Sequence, residues 1–290
     1  MDNMWQLADE EGILRSAGVT AAWNFFDWCF ELNRYTCNGA RESMLSSLYV
    51  IAAKTFMELA DAVAFPYDGK EMESRISLIS NNLEKRFVNP ATGLLEDEVL
   101  TCDKKRPVRL STQLAHALWL LAGEASPELA KACCKALVNN DLLMPDYYLH
   151  YFWFKAAAMA GCEDEGLSRI RHYWGRWIDT GLSTLSEFGI HSFGNQTDPS
   201  GSLCHGFGTI PVAFFHESIL GVKPLKGGFA EFAFNPNIMG LDFAEGRIPT
   251  GNGCIHVRLE RGRQWLRVPE GCTAILPDGR RLPPGEHDVA

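Results

Sequence analysis

Residues 205–235 read HGFGTIPVAFFHESILGVKPLKGGFAEFAFN, and the texture of the chain changes within them. Up to Leu220 the segment reads as a helix, His205–Leu220, the last of a series. Beyond Gly221 come Lys223-Pro224 and Gly227-Gly228, and then Phe229–Asn235, which alternates around Phe232 and Phe234. Alternation with a period of two, bounded by Gly and Pro, is a strand signal. The reading divides the 290 residues into a helical domain, 1–220, and a β domain, 221–290.

Upstream of this junction the periodicity is helical. Ala40–Val63 sets Leu45, Leu48, Tyr49, Ala52, Phe56, Leu59, Ala60 and Val63 at three- and four-residue spacing, one apolar stripe. Glu71–Phe87 repeats it with Ile76, Ile79, Leu83 and Phe87, stops at Asn89-Pro90 and turns at Thr92-Gly93. Ser111–Gly123 follows, with Ser111 as N-cap and Gly123 past its end. Ser126–Val138 opens on a capping Ser126 and Pro127 at the first helical position. Asp146–Ala160 and Glu163–Thr180 bring the count to about seven helices, joined by short loops as antiparallel hairpins are. Downstream, Ala244–Pro249, Cys254–Glu260, Trp265–Val268 and Thr273–Leu276 are strands separated by turns at 251–253, 261–263 and 277–279. The fold class expected is mainly α with a C-terminal β domain, the latter a small antiparallel β-sandwich.

Composition removes several functions. Hydrophobic residues make up 46% of the chain, enough for a sizeable core, and the net charge is −9. A negative surface disfavours capture of nucleic acid or of an anionic membrane. No apolar run approaches the roughly 18–20 residues of a spanning helix. The opening MDNMWQLADEEGILRS is acidic and does not read as a signal peptide. The nine cysteines are scattered without a C-x-x-C, and the adjacent Cys133 and Cys134 suit no disulfide, so neither a zinc site nor a disulfide framework is expected. A reducing compartment, the cytoplasm, is the expected location; a signal could be lost if the chain were part of a longer one. No phosphate-binding glycine loop and no pair of histidines at metal spacing occurs, so no cofactor and no metal are expected.

Three clusters carry residue types suited to chemistry. Trp23-Asn24-Phe25-Phe26-Asp27-Trp28 holds an acid between two indoles. It reads either as an aromatic core segment with Asp27 as a cap or surface acid, or as a sugar platform, with aromatic faces against a pyranose and a carboxylate orienting its hydroxyls. Gly181–Phe188 leads through small hydroxylated residues to Glu187, an exposed or capping acid or one presented to a pocket. Ser202–Phe207 places His205 at the start of the last helix, as a structural residue or as a partner of a hydroxyl or carboxylate. Cys204 beside it reads as a buried thiol, and the stripe Tyr147, Tyr148, Tyr151, Phe152 as core or, in part, pocket lining.

In this order, from Trp23 to about Val268, the clusters resemble the bacterial α-L-rhamnosidase family of glycoside hydrolases. The family's W-x-F-x-D-W looks like Trp23–Trp28, its G-x-T-T-x-W-E like Gly181–Glu187, and its S-x-x-H-G-W like Ser202–Phe207. Its L-G-I-x-P-x-x-P-G-F looks like Leu220–Phe229, and its A-x-G-x-x-P-T-x-x-G like Ala244–Gly253. The chain departs from the pattern at Ser186 and Phe207, where the family has Trp.

The resemblance implies a six-hairpin (α/α) barrel, of which about the C-terminal half is here, followed by a β-domain. It implies inverting hydrolysis of terminal α-L-rhamnosides, with Glu187 as general base and Trp23, Asp27, Trp28 and His205 lining the sugar pocket. The family's general acid lies upstream of W-x-F-x-D-W; the Asp9-Glu10-Glu11 run does not match its motif, so the acid is expected on an N-terminal part. Glu31 and Glu42 are the first substitutes to test. An open half-barrel exposes apolar helix faces, so the expected partners are a carbohydrate substrate and either a second copy or an N-terminal half-enzyme. The rival reading is a non-catalytic carbohydrate-binding or assembly protein built on the same fold.

Overall fold

The computed structural model describes residues 1–15, 41–100, 107–187 and 202–289, the side chains of 98–100 and 107–108 excepted. The fold is mainly α with a C-terminal β region. It forms two compact units: Met1–Cys162 with Trp177–Gly208, and Glu163–Arg176 with Thr209–Ala290.

In the first unit, helix Gln113–Ala122 is central. It packs against Ser43–Ala62, Pro127–Leu137 and His150–Ala160, and Ser43–Ala62 in turn packs against Gly69–Phe87. The shared core includes Tyr49, Val50, Ile79, Leu83, Leu118 and Trp119, all fully buried. The stripe of Gly69–Phe87 faces this core as its spacing requires, with Ile76, Ile79, Leu83 and Phe87 buried. Leu59 and Val63 are corrections: they are 62% and 73% exposed, because the last turn of Ser43–Ala62 presents Ala60 to the core instead.

Capping chemistry sets the helix starts. Ser126 Oγ accepts from Leu129 N–H (3.3 Å) with Pro127 in the first turn, and Asp68 caps Glu71 N–H (3.0 Å). The cap of Gln113–Ala122 is Thr112, whose Oγ1 accepts from Ala115 N–H (3.0 Å), rather than the adjacent Ser111. Gly123 ends that helix at φ +71°, the left-handed position. Helix Ser43–Ala62 takes its cap from elsewhere. Asp97 opens β1 (Asp97–Leu100), which pairs antiparallel with β2 (Pro107–Leu110) in a hairpin the sequence pattern does not announce. Its carboxylate accepts from Ser43 N–H (2.5 Å) and Ser43 Oγ–H (2.8 Å), all of it buried. Asp9 is likewise structural: Oδ1 accepts from Glu11 and Ile13 N–H, and Oδ2 pairs with Arg41 Nε at 2.6 Å.

The helix expected at 163–180 is three consecutive pieces, with a π turn at Ile170–Trp174 between Glu163–Arg169 and Gly175–Asp179. The one expected at 205–220 is similarly a 3₁₀ turn, Gly206–Thr209, a short helix, Pro211–Phe214, and a π turn, Phe215–Ile219.

The second unit holds two four-stranded sheets. One runs β10-β7-β6-β5, from Gly285–Val289, Arg263–Val268, Gly253–Glu260 and Phe243–Thr250, antiparallel throughout. The other runs β3-β4-β8-β9, from Val222–Pro224, Glu231–Phe234, Thr273–Ile275 and Arg281–Leu282. They share one core in which Phe232, Phe234 and Ala274 meet Ile255, Val257, Leu266 and Val268, as in a sandwich. Against the all-antiparallel expectation, β4 and β8 are parallel. The chain reaches β8 by crossing from β7 of the other sheet, a connection free of the reversal a hairpin imposes. Gly221, where the chain enters β3, has φ +70°, and a Cβ there would lie 2.2 Å from the Asn235 carbonyl carbon. Among the described residues no helix is long and apolar enough to cross a membrane.

Candidate active site

The site is built in the first unit from two segments distant in sequence. Trp177 anchors the first. It is buried, its indole N–H donates to the Tyr147 hydroxyl, and its carbonyl accepts from Leu182 N–H (3.1 Å) and the Thr180 hydroxyl (2.9 Å). Those bonds close the helix, and the chain leaves it as an irregular run, Leu182–Glu187, bent at Ser183, Thr184 and Glu187.

The second segment, Ser202–Gly208, lies alongside. Glu187 N–H donates to Ser202 C=O (2.9 Å) and His205 N–H to Leu185 C=O (3.0 Å), a two-rung main-chain clasp. Between the rungs Ser186 is buried. Close approach continues at Gly208, where a Cβ would meet Leu185 Cβ at 2.5 Å.

The clasp sets the side chains. Glu187 Oε2 accepts from Ser202 N–H (3.3 Å) and lies 3.7 Å from His205 Nδ1. Both side chains keep partial solvent access, 20% for Glu187 and 29% for His205. Phe207 meets the imidazole edge-on at 4.4 Å, and Tyr148 stacks on Phe207 at 4.4 Å and 25°. The arrangement is an aromatic wall leading to a carboxylate–imidazole pair. A carboxylate in that position can accept a proton from water, and the imidazole can bond a hydroxyl or hold the carboxylate's orientation.

Of the residues expected in the site, Glu187 and His205 are brought together; Trp23, Asp27 and Trp28, like Glu31, lie outside the described residues. Cys204 is a correction: it is exposed rather than buried, because it stands in the loop ahead of the 3₁₀ turn. Tyr148 is the member of its stripe that leaves the core. Tyr147 beside it is fully buried, whereas Tyr148 is 42% exposed and faces Phe207. No local pattern says which of the two tyrosines turns outward. Glu42 is buried at the start of helix Ser43–Ala62, its carbonyl accepting from Ser46 N–H and Oγ–H. Among the described residues no group of three His, Cys, Asp or Glu side chains is arranged to hold a metal ion.

No protein-family profile matches the chain. Over 103 residues, 34% of this chain and 10% of the relative, it is 40% identical to an α-L-rhamnosidase from Alteromonas sp. (strain LOR). Its fold matches the GH78 family rhamnosidase of Bacillus sp. GL1 with a TM-score of 0.78 at 21% identity, covering 96% of this chain and 30% of that one. It matches the Streptomyces avermitilis α-L-rhamnosidase complexed with L-rhamnose at 0.69 and 18% identity, over 95% of this chain and 26% of the other. The Aspergillus terreus α-L-rhamnosidase gives 0.65 at 16% identity, over 94% and 32%. In sequence over a third of the chain, and in fold over nearly all of it, this protein is thus similar to α-L-rhamnosidases, and it spans about a third of the length of these structures.

Proposed function

We propose that the chain forms part of a glycoside hydrolase that removes terminal α-L-rhamnosyl groups with inversion, Glu187 being the general base. The observation that supports this is the Glu187–His205 pair, 3.7 Å apart and partly open to solvent, in a chain of rhamnosidase fold. Inversion needs an ionised carboxylate to activate water and a protonated one about 6.5–9.5 Å away to protonate the leaving oxygen. Glu187 is suited to the first role, since its Oε2 is anchored by a main-chain N–H and flanked by an imidazole. The general acid is assigned to an N-terminal half of the enzyme. His205 bonds a sugar hydroxyl, Trp23 and Trp28 pack on the ring, and Asp27 accepts from its hydroxyls. The functional division is a helical-hairpin domain, 1–220, and a β domain, 221–290, and the assembled form is a homodimer or a complex with the acid-bearing half.

The test is turnover of an aryl α-L-rhamnoside by the chain with and without a supplied N-terminal half. Activity in the reconstituted pair is expected, and Glu187→Gln should lower kcat by about 10²–10⁴ without unfolding, because the amide keeps the shape but cannot take the proton. Near wild-type turnover in that variant would remove Glu187 from the mechanism. Saturable L-rhamnose binding with no turnover in the pair would favour the non-catalytic carbohydrate-binding reading.

A further inference from the structure

The outward face of the β10-β7-β6-β5 sheet, in the second unit, carries a groove unrelated to Glu187. It encloses about 450 Å³ and is lined by His256, Arg258, Glu260, Arg263, Trp265 and Glu286. That volume suits a small ligand. At its centre is Trp265, a half-buried indole on a face whose other outward residues are mostly charged. The ring is held by its cross-strand neighbours. His256 meets it at 5.0 Å and 86°, and the Arg258 guanidinium carbon lies 5.8 Å from its centroid.

The charges around the ring are arranged unevenly. Glu245 accepts from His256 Nε2 (2.7 Å) and pairs with Arg258 Nε (3.2 Å); the hydrogen bond from His256 is the chief cause holding its carboxyl below the usual range. Arg263 pairs with Asp288 at 3.1 Å. Glu260 and Glu286 have no ion-pair partner among the described residues. The groove thus presents neutralised guanidinium donors, two open carboxylate acceptors and an indole. Hydroxyls that both donate and accept, on a ring with an apolar C–H face, satisfy all three at once. A uronate would set its charge against Glu260 and Glu286, with Arg258 and Arg263 already paired and Arg267, across the ladder from Glu286, the one guanidinium left to meet it among the described residues of β6 and β7.

We infer that this groove is a second carbohydrate site, taking a neutral saccharide unit on Trp265. The inference stands independently of the role of Glu187.

Affinity electrophoresis of the full chain through gels containing neutral arabinogalactan, xyloglucan or galactomannan, with polygalacturonate as the acidic counterpart, tests it. Retardation is expected in at least one neutral gel and not in polygalacturonate. Trp265→Ala should abolish it, and the double variant Glu260→Gln with Glu286→Gln should raise the apparent Kd at least tenfold. Glu187→Gln should leave retardation in place while lowering rhamnoside turnover in the reconstituted pair, and the groove variants should do the reverse, so the two readings fail separately. No retardation in any neutral gel, stronger retardation in polygalacturonate, or retardation undiminished in the groove variants would overturn the inference. If Trp265→Ala does not fold, the double variant, altered only at exposed positions, decides.

Discussion

The two units solve the burial of backbone differently. In the first, polar side chains are carried deep into the interior: Ser43, Ser46, Ser47, Asp97, Thr112, Gln113, His116, Asp146 and His150 are all buried. In the second, the sandwich core from Phe232 to Val289 is apolar, and His256 at its margin is the buried polar residue of its strands among those described. The difference follows from what helices and strands leave unfinished. A helix ends with N–H and C=O groups that have no partner within it, so a helix start placed inside the protein must be met by a side chain. A strand hands its polar groups to its neighbour along the whole ladder. The helical unit is therefore specified by a few polar contacts with no apolar substitute, whereas the sandwich asks chiefly for apolar volume.

The contrast can be tested from either side. The largest expected effect is Phe232→Ala in the sandwich, a loss of about 3–5 kcal/mol in urea unfolding, because a fully buried ring leaves a cavity. Phe232→Leu should recover much of it, since volume is what the site requires. Next comes Asp97→Ala, which leaves the buried Ser43 N–H and hydroxyl without their acceptor and should cost about 2–4 kcal/mol. An apolar residue of similar size, Asp97→Leu, should recover none of it. Recovery there would break the comparison.

A smaller effect is expected from pH. His116 is buried, with Nδ1 donating to Thr112 C=O (2.7 Å) and Nε2 accepting from Leu95 N–H (3.0 Å), so the neutral tautomer is the one the fold accommodates. Burial pushes its pKa down from the ordinary 6.5, against the hydrogen bond to Thr112. Below about pH 6.5 the unfolded chain takes up a proton that the folded chain refuses, so stability falls with falling pH until the folded pKa is reached. The slope from one such group is at most about 1.4 kcal/mol per pH unit. Urea midpoints of the native protein and of His116→Gln between pH 7 and 5 measure it, and equal slopes in the two would exclude His116 as the source. The smallest effect is at the surface, where Arg261 pairs with Asp242 at 2.9 Å with both largely exposed. Arg261→Ala should stay within about 0.5 kcal/mol. A larger loss would mean that the sandwich depends on charge after all.

Sequence reading succeeded where a pattern repeats and faltered where a single contact decides. Ile76, Ile79, Leu83 and Phe87 were legible because each turn of the helix restates the same face. In β6, Ile255, Val257 and Leu259 point inward for the same reason. Pro127 after Ser126 marked a helix start because both residues act locally. Ser111 and Thr112 are adjacent hydroxyls, and nothing local says which one bonds the helix. The β1–β2 hairpin is four residues a side, too short for alternation to declare itself. The π turns at Ile170–Trp174 and Phe215–Ile219 change the hydrogen-bond step without changing residue type. In the candidate site, Glu187 and His205 could be named from the family resemblance. Their meeting depends on main-chain bonds across fifteen and twenty residues of sequence separation, to which no side-chain pattern corresponds.

The two-rung clasp between Leu185–Glu187 and Ser202–His205 has a consequence for how such a site changes over time. Its rungs are carbonyls and N–H groups, which every residue but proline brings alike, so the address of the carboxylate is written in the backbone. Side chains beside it are then open to exchange. The side chains of Ser186 and Phe207, at the two positions where the rhamnosidase pattern carries Trp, take no part in either rung.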